Sequence, residues 1–399
     1  MLTSSLRRVP RGVVVLGFVS LLMDASSELV HALLPLFMVS TLGASMLAVG
    51  IVEGLAEATA LVVRVFSGYL SDRTRRRKPL VLAGYGLGAL SKLAFPFATS
   101  LGLVVAARVV DRVGKGIRGA PRDALIADLT PADVRGASFG LRQALDTIGA
   151  VAGPLLAVAA LAWFANDIRS AFWVAVIPAA LCVALIVVGV REPERGTAGV
   201  GERRPPLSLR DVRRLDRRFV FVTIVAAVLT LARFSEAFLV LRATDVGMPL
   251  AQAPWVMVAM TVVYAAVAFP AGVLADRGHS PRLIGAGFAA LIASDLVLAH
   301  ANGAAAVLTG AALWGLHMAL TQGLLSALVA AVAPADLRGT AFGVFNLASG
   351  VAVLAASALA GWLWDAAGPR YTFYAGAAFA LLAWLALRAR RQGLPAIAG

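Results

Sequence analysis

Apolar runs recur along the whole chain, interrupted by short clusters of charged residues, glycine and proline. Between these breaks the runs predict helices over 12–38, 46–71, 79–99, 101–128, 136–163 and 170–190. Six more follow over 219–241, 251–275, 283–300, 304–332, 339–364 and 371–388. Each is long enough to cross a hydrocarbon layer ~30 Å thick with some tilt. The stretch 191–218 is rich in Arg, Glu, Pro and Gly, and the spacing of Val212, Leu215 and Phe219 predicts a short helix along the headgroups. The pattern thus gives a bundle over 1–190, a cytoplasmic linker over 191–218 and a second bundle over 219–399.

The two bundles repeat. Pro131-Ala132-Asp133-Val134-Arg135-Gly136 with Phe139-Gly140 recurs as Pro334-Ala335-Asp336-Leu337-Arg338-Gly339 with Phe342-Gly343, at an offset of 203. Gly68, Asp72 and Arg73 recur as Gly272, Asp276 and Arg277 at an offset of 204. Two widely separated matches at nearly one offset mean a duplicated six-helix unit, and an even number of helices leaves both copies in the same orientation. The fold class that follows is an all-α polytopic membrane protein, twelve transmembrane helices in two six-helix pseudo-repeats, with both termini cytoplasmic.

Composition sharpens this picture. Of 399 residues 60% are hydrophobic and 15% charged, a load that a soluble domain does not carry. The net charge of +14 raises the question of nucleic acid, and the placement of the charges answers it. Of the 36 Lys and Arg residues, 23 fall in segments this topology makes cytoplasmic, ten lie within the predicted helices, and only Arg169, Arg242 and Arg370 fall on the outer side. That is the positive-inside pattern of an inner (plasma) membrane protein, with lipid headgroups rather than nucleic acid as the anionic partner. A lone cysteine, Cys182, excludes an internal disulfide framework and any cysteine-cluster metal site. Gly114-Lys115-Gly116-Ile117-Arg118-Gly119 spells GxGxxG, but no strand precedes it and it lies in a helical run, so it is no dinucleotide fingerprint. With no P-loop, metal cluster or nucleophile motif, neither an enzyme nor a bound cofactor is expected.

Three motifs resemble the major facilitator superfamily over essentially the whole chain. Gly68-Tyr69-Leu70-Ser71-Asp72-Arg73-Thr74-Arg75-Arg76-Arg77-Lys78 is similar to the family's GxxxDRxGRR signature, with Arg75 where glycine is usual. Arg112, Lys115 and Gly116 stand in the register of RxxQG, with lysine replacing glutamine. Gly149, Gly153 and Pro154 resemble the GxxxGPxxGG antiporter motif, with Ala157 and Val158 in place of its last glycines. The resemblance implies a monomeric secondary transporter and favours export. It also places helices 1, 4, 7 and 10 around the cavity, and with them Asp24, Glu28, Arg112, Lys115, Glu236 and His317.

A charge at the bilayer centre costs about 2.5–3.5 kcal/mol, so each needs a partner, a wet cavity or a function. The first half holds sixteen within its predicted helices, while the second copy replaces many of them with uncharged residues. Glu53, Glu57 and Arg64 correspond to Met257, Thr261 and Ala268; Arg112, Lys115, Arg118 and Arg122 correspond to Gly315, Met318, Thr321 and Leu325. The fold does not require these charges. Ion handling is therefore expected in the first half and a more apolar wall in the second.

Helical spacing groups Asp24, Glu28 and His31 on one face and Glu53, Glu57 and Arg64 on another. The bases Arg108, Arg112, Lys115, Arg118 and Arg122 form a third stripe, and Arg142 with Asp146 a fourth that continues into Gly149 and Gly153. Carboxylates at i,i+4 repel when both are ionised, which makes Asp24/Glu28 and Glu53/Glu57 either proton-coupling or cation sites, or static partners of the helix 4 bases. The bases in turn serve coupling, substrate or structural pairing. His317 with Trp314, Met318 and Gln322 forms either a ligand wall with His31, Arg233 and Glu236 or a packing surface. Gly68, Asp72, Arg73, Asp276 and Arg277 read as an orientation signal and a cytoplasmic gate.

The function expected is proton-coupled efflux of a small molecule such as a drug or metabolite, by alternating access and driven by the proton gradient. An importer or exporter of an organic anion or a metal ion is the alternative within the class, although histidine and methionine clusters for a dedicated metal site are lacking. A non-transporting receptor or assembly protein of the same fold is the alternative outside it.

Overall fold

The computed structural model describes residues 8–74, 76–192, 216–332 and 337–389, with the side chains of 69, 72–74, 132, 217, 322–332 and 338–339 outside the description. The predicted headgroup helix at Val212 and Leu215, most of the 191–218 linker and Pro334-Ala335-Asp336 lie outside the described residues, as do the side chains of Asp72, Arg73 and Gln322.

The described chain is helical. In order come α1 (Arg11–Ser40), α2 (Met46–Thr74), α3 (Lys78–Ala94), α4 (Leu101–Leu129), α5 (Arg135–Trp163) and α6 (Ile168–Gly189). Then follow α7a (Arg217–Ala232) and α7b (Ala237–Asp245), α8 (Trp255–Leu274), α9 (Ser280–Ala299), α10 (Ala304–Val332), α11 (Arg338–Ala367) and α12 (Pro369–Ala389). These match the apolar runs to within a few residues, except that α7 is broken at 233–236. Among the described residues, nine stretches are long and apolar enough to cross a membrane, one of them, Leu250–Ala299, containing both α8 and α9. α3 and α4 are not among them, since α3 has 17 residues and α4 carries Arg108, Asp111, Arg112, Lys115, Arg118, Arg122, Asp123 and Asp128.

The chain divides into two compact units, Met1–Leu34 with Thr59–Pro206 and Pro35–Ala58 with Leu207–Gly399. The crossing on α1 comes at Pro35, a residue without a backbone N–H to continue the helix ladder. In the first unit Val13, Leu16, Val19 and Met23 of α1 pack with Tyr85 of α3, Ile126 of α4 and Cys182 of α6. In the second, the first turn of α2 is held by Asp365 at the end of α11, which accepts from the backbone N–H groups of Met46 at 3.1 Å and Leu47 at 2.9 Å. Large apolar side chains such as Trp163, Val188 and Phe269 are more than three-quarters exposed, as a lipid-facing surface requires.

Helix ends follow local chemistry. Asp167 caps α6, accepting from the Arg169 N–H at 3.0 Å and the Ser170 hydroxyl at 2.5 Å. The Ser170 hydrogen bond chiefly holds this exposed carboxyl below its ordinary range. A lowered value in the folded state means the cap stabilises above the ordinary aspartate range and is lost as pH falls through it. Asp167→Ala is expected to cost about 1 kcal/mol at neutral pH and progressively less in acid, read from thermal unfolding at several pH values.

Candidate functional site

In the first unit, α1 presents Asp24, Glu28 and His31 on one face, with His31 Nδ1 3.4 Å from Glu28 Oε2. The charged groups acting on Asp24 are Asp146, Arg118, Lys115 and Glu28; those on Glu28 are His31, Lys115 and Arg112. The α1 acids and the α4 bases, separate stripes in the sequence, thus form one electrostatic cluster with Lys115 common to both acids. Lys115 and both acids are half-buried.

Small residues bring the helices this close. A Cβ on Gly149 of α5 would stand 3.1 Å from Asp24 Cβ, and one on Gly153 would meet Glu28 Cβ at 2.6 Å and Ala25 O at 2.8 Å. The antiporter-like glycines, with Pro154 buried beside them, therefore seat α5 directly on the two acids of α1. The glycines of the GxGxxG run, inside α4, have the same use. Gly114 faces Gly84 of α3, while Gly116 faces Val63 of α2 and accepts from the Ser67 hydroxyl at 2.8 Å.

Below the acids, Arg118 lies 4.7 Å over the Tyr85 ring. Arg122 donates to Ser20 Oγ at 3.0 Å and pairs with Asp123 at 3.0 Å, with Asp146 at 3.8 Å; Asp146 also pairs with Arg142. The chain of charges thus runs from α1 through α4 to α5. At one end of the unit Arg77 pairs with Asp128 at 3.0 Å and donates its N–H to Glu192 at 2.5 Å.

A second cluster joins Arg108 and Arg112 of the α4 stripe to an acid and a base that the spacing left unconnected, Asp111 and Lys92. Lys92 of α3 and Asp111 of α4 meet at 2.5 Å, and Arg112 and Arg108 approach Asp111 at 3.6 and 3.9 Å. All four are essentially solvent-free. Spacing along one helix carries no signal for a contact between two helices.

The other acidic pair belongs to the second unit. Glu53 is buried and Glu57 half-buried on the part of α2 whose Gly54 faces Leu354 and Ser357 of α11. In the same unit Arg233 and Glu236 sit in the break between α7a and α7b, with Tyr264 as a further electrostatic neighbour of Arg233. Trp314 is buried against Phe234, ring centroids 5.3 Å apart. His317 is fully buried with Nδ1 2.8 Å from the Gly287 carbonyl of α9, which makes it a bond between α10 and α9 in this structure. Gly272 is exposed near the end of α8, and Asp276 and Arg277 are exposed at the turn 275–279 that follows, where Gly278 takes φ 83°. Sequence periodicity also passed over Asp295, a fully buried acid on α9. Among the described residues no group of three or more His, Cys, Asp or Glu side chains could hold a metal ion.

Known proteins match this architecture. The Major Facilitator Superfamily model covers residues 16–241 and 234–396. An uncharacterized MFS-type transporter of Methanocaldococcus jannaschii is 29% identical over 388 residues, 96% of this chain and 95% of the relative. The inner membrane transport protein YajR of Escherichia coli is 26% identical over 368 residues, 88% of this chain and 77% of that protein. Among solved structures, a D-xylose-proton symporter superposes with a TM-score of 0.74 at 18% identity, covering 96% of this chain and 98% of that one, a likeness of fold. The chain belongs to the Major Facilitator Superfamily of multi-pass membrane transporters.

Proposed function

We propose that this transporter couples the movement of a small molecule to protons, through the Asp24–Glu28 face of α1 and the bases of α4. The observation that carries the reading is that Lys115 of α4 is an electrostatic neighbour of both acids, which the α5 glycines pack against. One mobile base between two acids can neutralise either, so protonating one frees Lys115 for the other or for an anionic group of the solute. The internal duplication supplies the moving parts, two six-helix halves that alternate access to a midplane site. Efflux by antiport is favoured by the seating of Gly149 and Gly153 on these acids. An organic anion is the second reading, supported by five bases along α4. The positive-inside charge pattern and the name of the Escherichia coli relative support a place in the inner membrane. The protein is proposed to act there as a monomer among anionic lipids.

The test begins with thermal stabilisation of purified protein by drugs, metabolites and organic anions at two pH values. With the solute that stabilises it, proteoliposomes holding a pH dye report proton movement when solute is added. Antiport predicts proton flow opposite to solute flow and symport the same direction; solute flux with no proton flux overturns the coupling.

A further inference from the structure

Asp295 lies in the C-terminal third of α9 with 0% exposure, and neither carboxyl oxygen has a hydrogen-bond partner among the described residues. Among the described residues no charged side chain is paired with it. The titratable groups of the elements packed around it are engaged elsewhere. On α10, His317 bonds the Gly287 carbonyl. On α12, Tyr374 bonds His300 at 3.0 Å, Arg388 stacks on Trp384, and Arg370 and Tyr371 are exposed. On α7b, Arg242 pairs with Asp245 and donates to the carbonyls of Leu298 and Ala301. Arg233 has Glu236 and Tyr264 as its neighbours.

The internal repeat makes this arrangement more pointed. At the offset of 203, Asp295 corresponds to Lys92 and Trp314 to Asp111. The base–acid pair of the first unit is thus an acid and an indole in the second, and Trp314 Nε1 is itself buried with no partner among the described residues. An unpaired ionised carboxylate is not sustainable in such surroundings, so the acid must hold a cation of its own. The space admits only a very small one. A Cβ on Gly376 of α12 would stand 2.6 Å from Asp295 Oδ2 and 3.0 Å from the Phe234 ring, so Phe234 and Gly376 together close over the carboxyl. A metal ion needs several further oxygen ligands, and the neighbours are aromatic.

We propose that Asp295 is a proton-binding site of the second unit, covered by Phe234 at the break in α7 and exchanging its proton when that break moves. Phe234 suits the part. It stands between α7a and α7b, with its ring centroid 5.7 Å from both Phe238 and Phe373 and 5.3 Å from Trp314, so a change at the break carries the whole aromatic cover with it. The site is separate from the Asp24–Glu28 face and does not depend on its role.

Infrared spectroscopy of the full-length protein in lipid tests this without a solute. A protonated carboxyl with no hydrogen bond gives a distinct C=O band, which shifts on transfer to D2O and disappears on deprotonation. Expected is one such band, absent in Asp295→Asn, displaced in Asp295→Glu, slow to shift in D2O for the wild type and diminished when the medium is made alkaline. Phe234→Ala is expected to speed the deuterium shift by about tenfold or more, the effect of removing ~1.4 kcal/mol from the opening barrier. A band that neither deuterates nor titrates in wild type and Phe234→Ala makes Asp295 a fixed neutral acid and overturns the proposal, as does the lack of any band assignable to it. Should Asp295→Asn not fold, the wild-type and Asp295→Glu spectra decide alone.

Discussion

Asp111→Asn is expected to cost the protein about 3–5 kcal/mol of stability, the usual penalty for stranding a buried charge by removing its partner. Among the described residues Lys92 has one acidic partner, Asp111, at 2.5 Å, and neither side chain meets solvent. The same carboxylate also faces Arg112 and Arg108, so its loss raises the local positive charge on three buried bases together. Lys92→Met should cost less, because Asp111 keeps both arginines. The double variant Lys92→Met/Asp111→Asn should be more stable than Asp111→Asn alone, since it removes the stranded ammonium with the carboxylate. Thermal unfolding of the four proteins in one detergent gives the cycle. Equal losses for both single variants, with no rescue in the double, would show that the charges do not act as a pair.

This cluster marks where sequence information ends. Apolar runs place α1 to α12 because a membrane span must be long, helical and apolar, a constraint that each segment records by itself. Charge stripes follow for the same reason: Asp24 with Glu28, or Arg118 with Arg122, share a face through spacing within one helix. The glycines of α5 were legible as a close-packing surface, though not as one pressed against Asp24 and Glu28 in particular. Contacts between helices are recorded nowhere in one segment's periodicity. Lys92 and Asp111 lie on adjacent helices with no shared period, and Asp295 is a single acid in an apolar run with no stripe around it. The break in α7 is equally silent, for 219–241 is apolar apart from Thr223, Thr230, Arg233, Ser235 and Glu236, and no proline or glycine marks 233–236. The asymmetry between the halves was legible as a difference in buried charge, yet Asp295 shows that the second half is not purely an apolar wall.

Asp24→Asn is expected to abolish solute accumulation driven by a pH gradient while leaving solute exchange without a gradient largely intact. The reason is the sharing of Lys115. On the proposed reading, a proton on Asp24 would change which carboxylate Lys115 neutralises, and asparagine there would leave the lysine to Glu28 and its neighbour His31 at every pH. Coupling free energies between sites run to about 1–3 kcal/mol, so the gradient-driven component should fall by about 5–150-fold. Lys115→Ala should also uncouple, by removing the group that both acids compete for, and joining it to Asp24→Asn should add little further loss. Additive losses would instead mean two independent roles. Structural pairing alone makes the opposite forecast. The charge-balanced double variant would then recover the activity lost by either single one, because a static pair matters only as a pair. Gradient-driven uptake and counterflow in the same proteoliposomes separate the two, since a folded but uncoupled transporter still exchanges its solute and a misfolded one does neither.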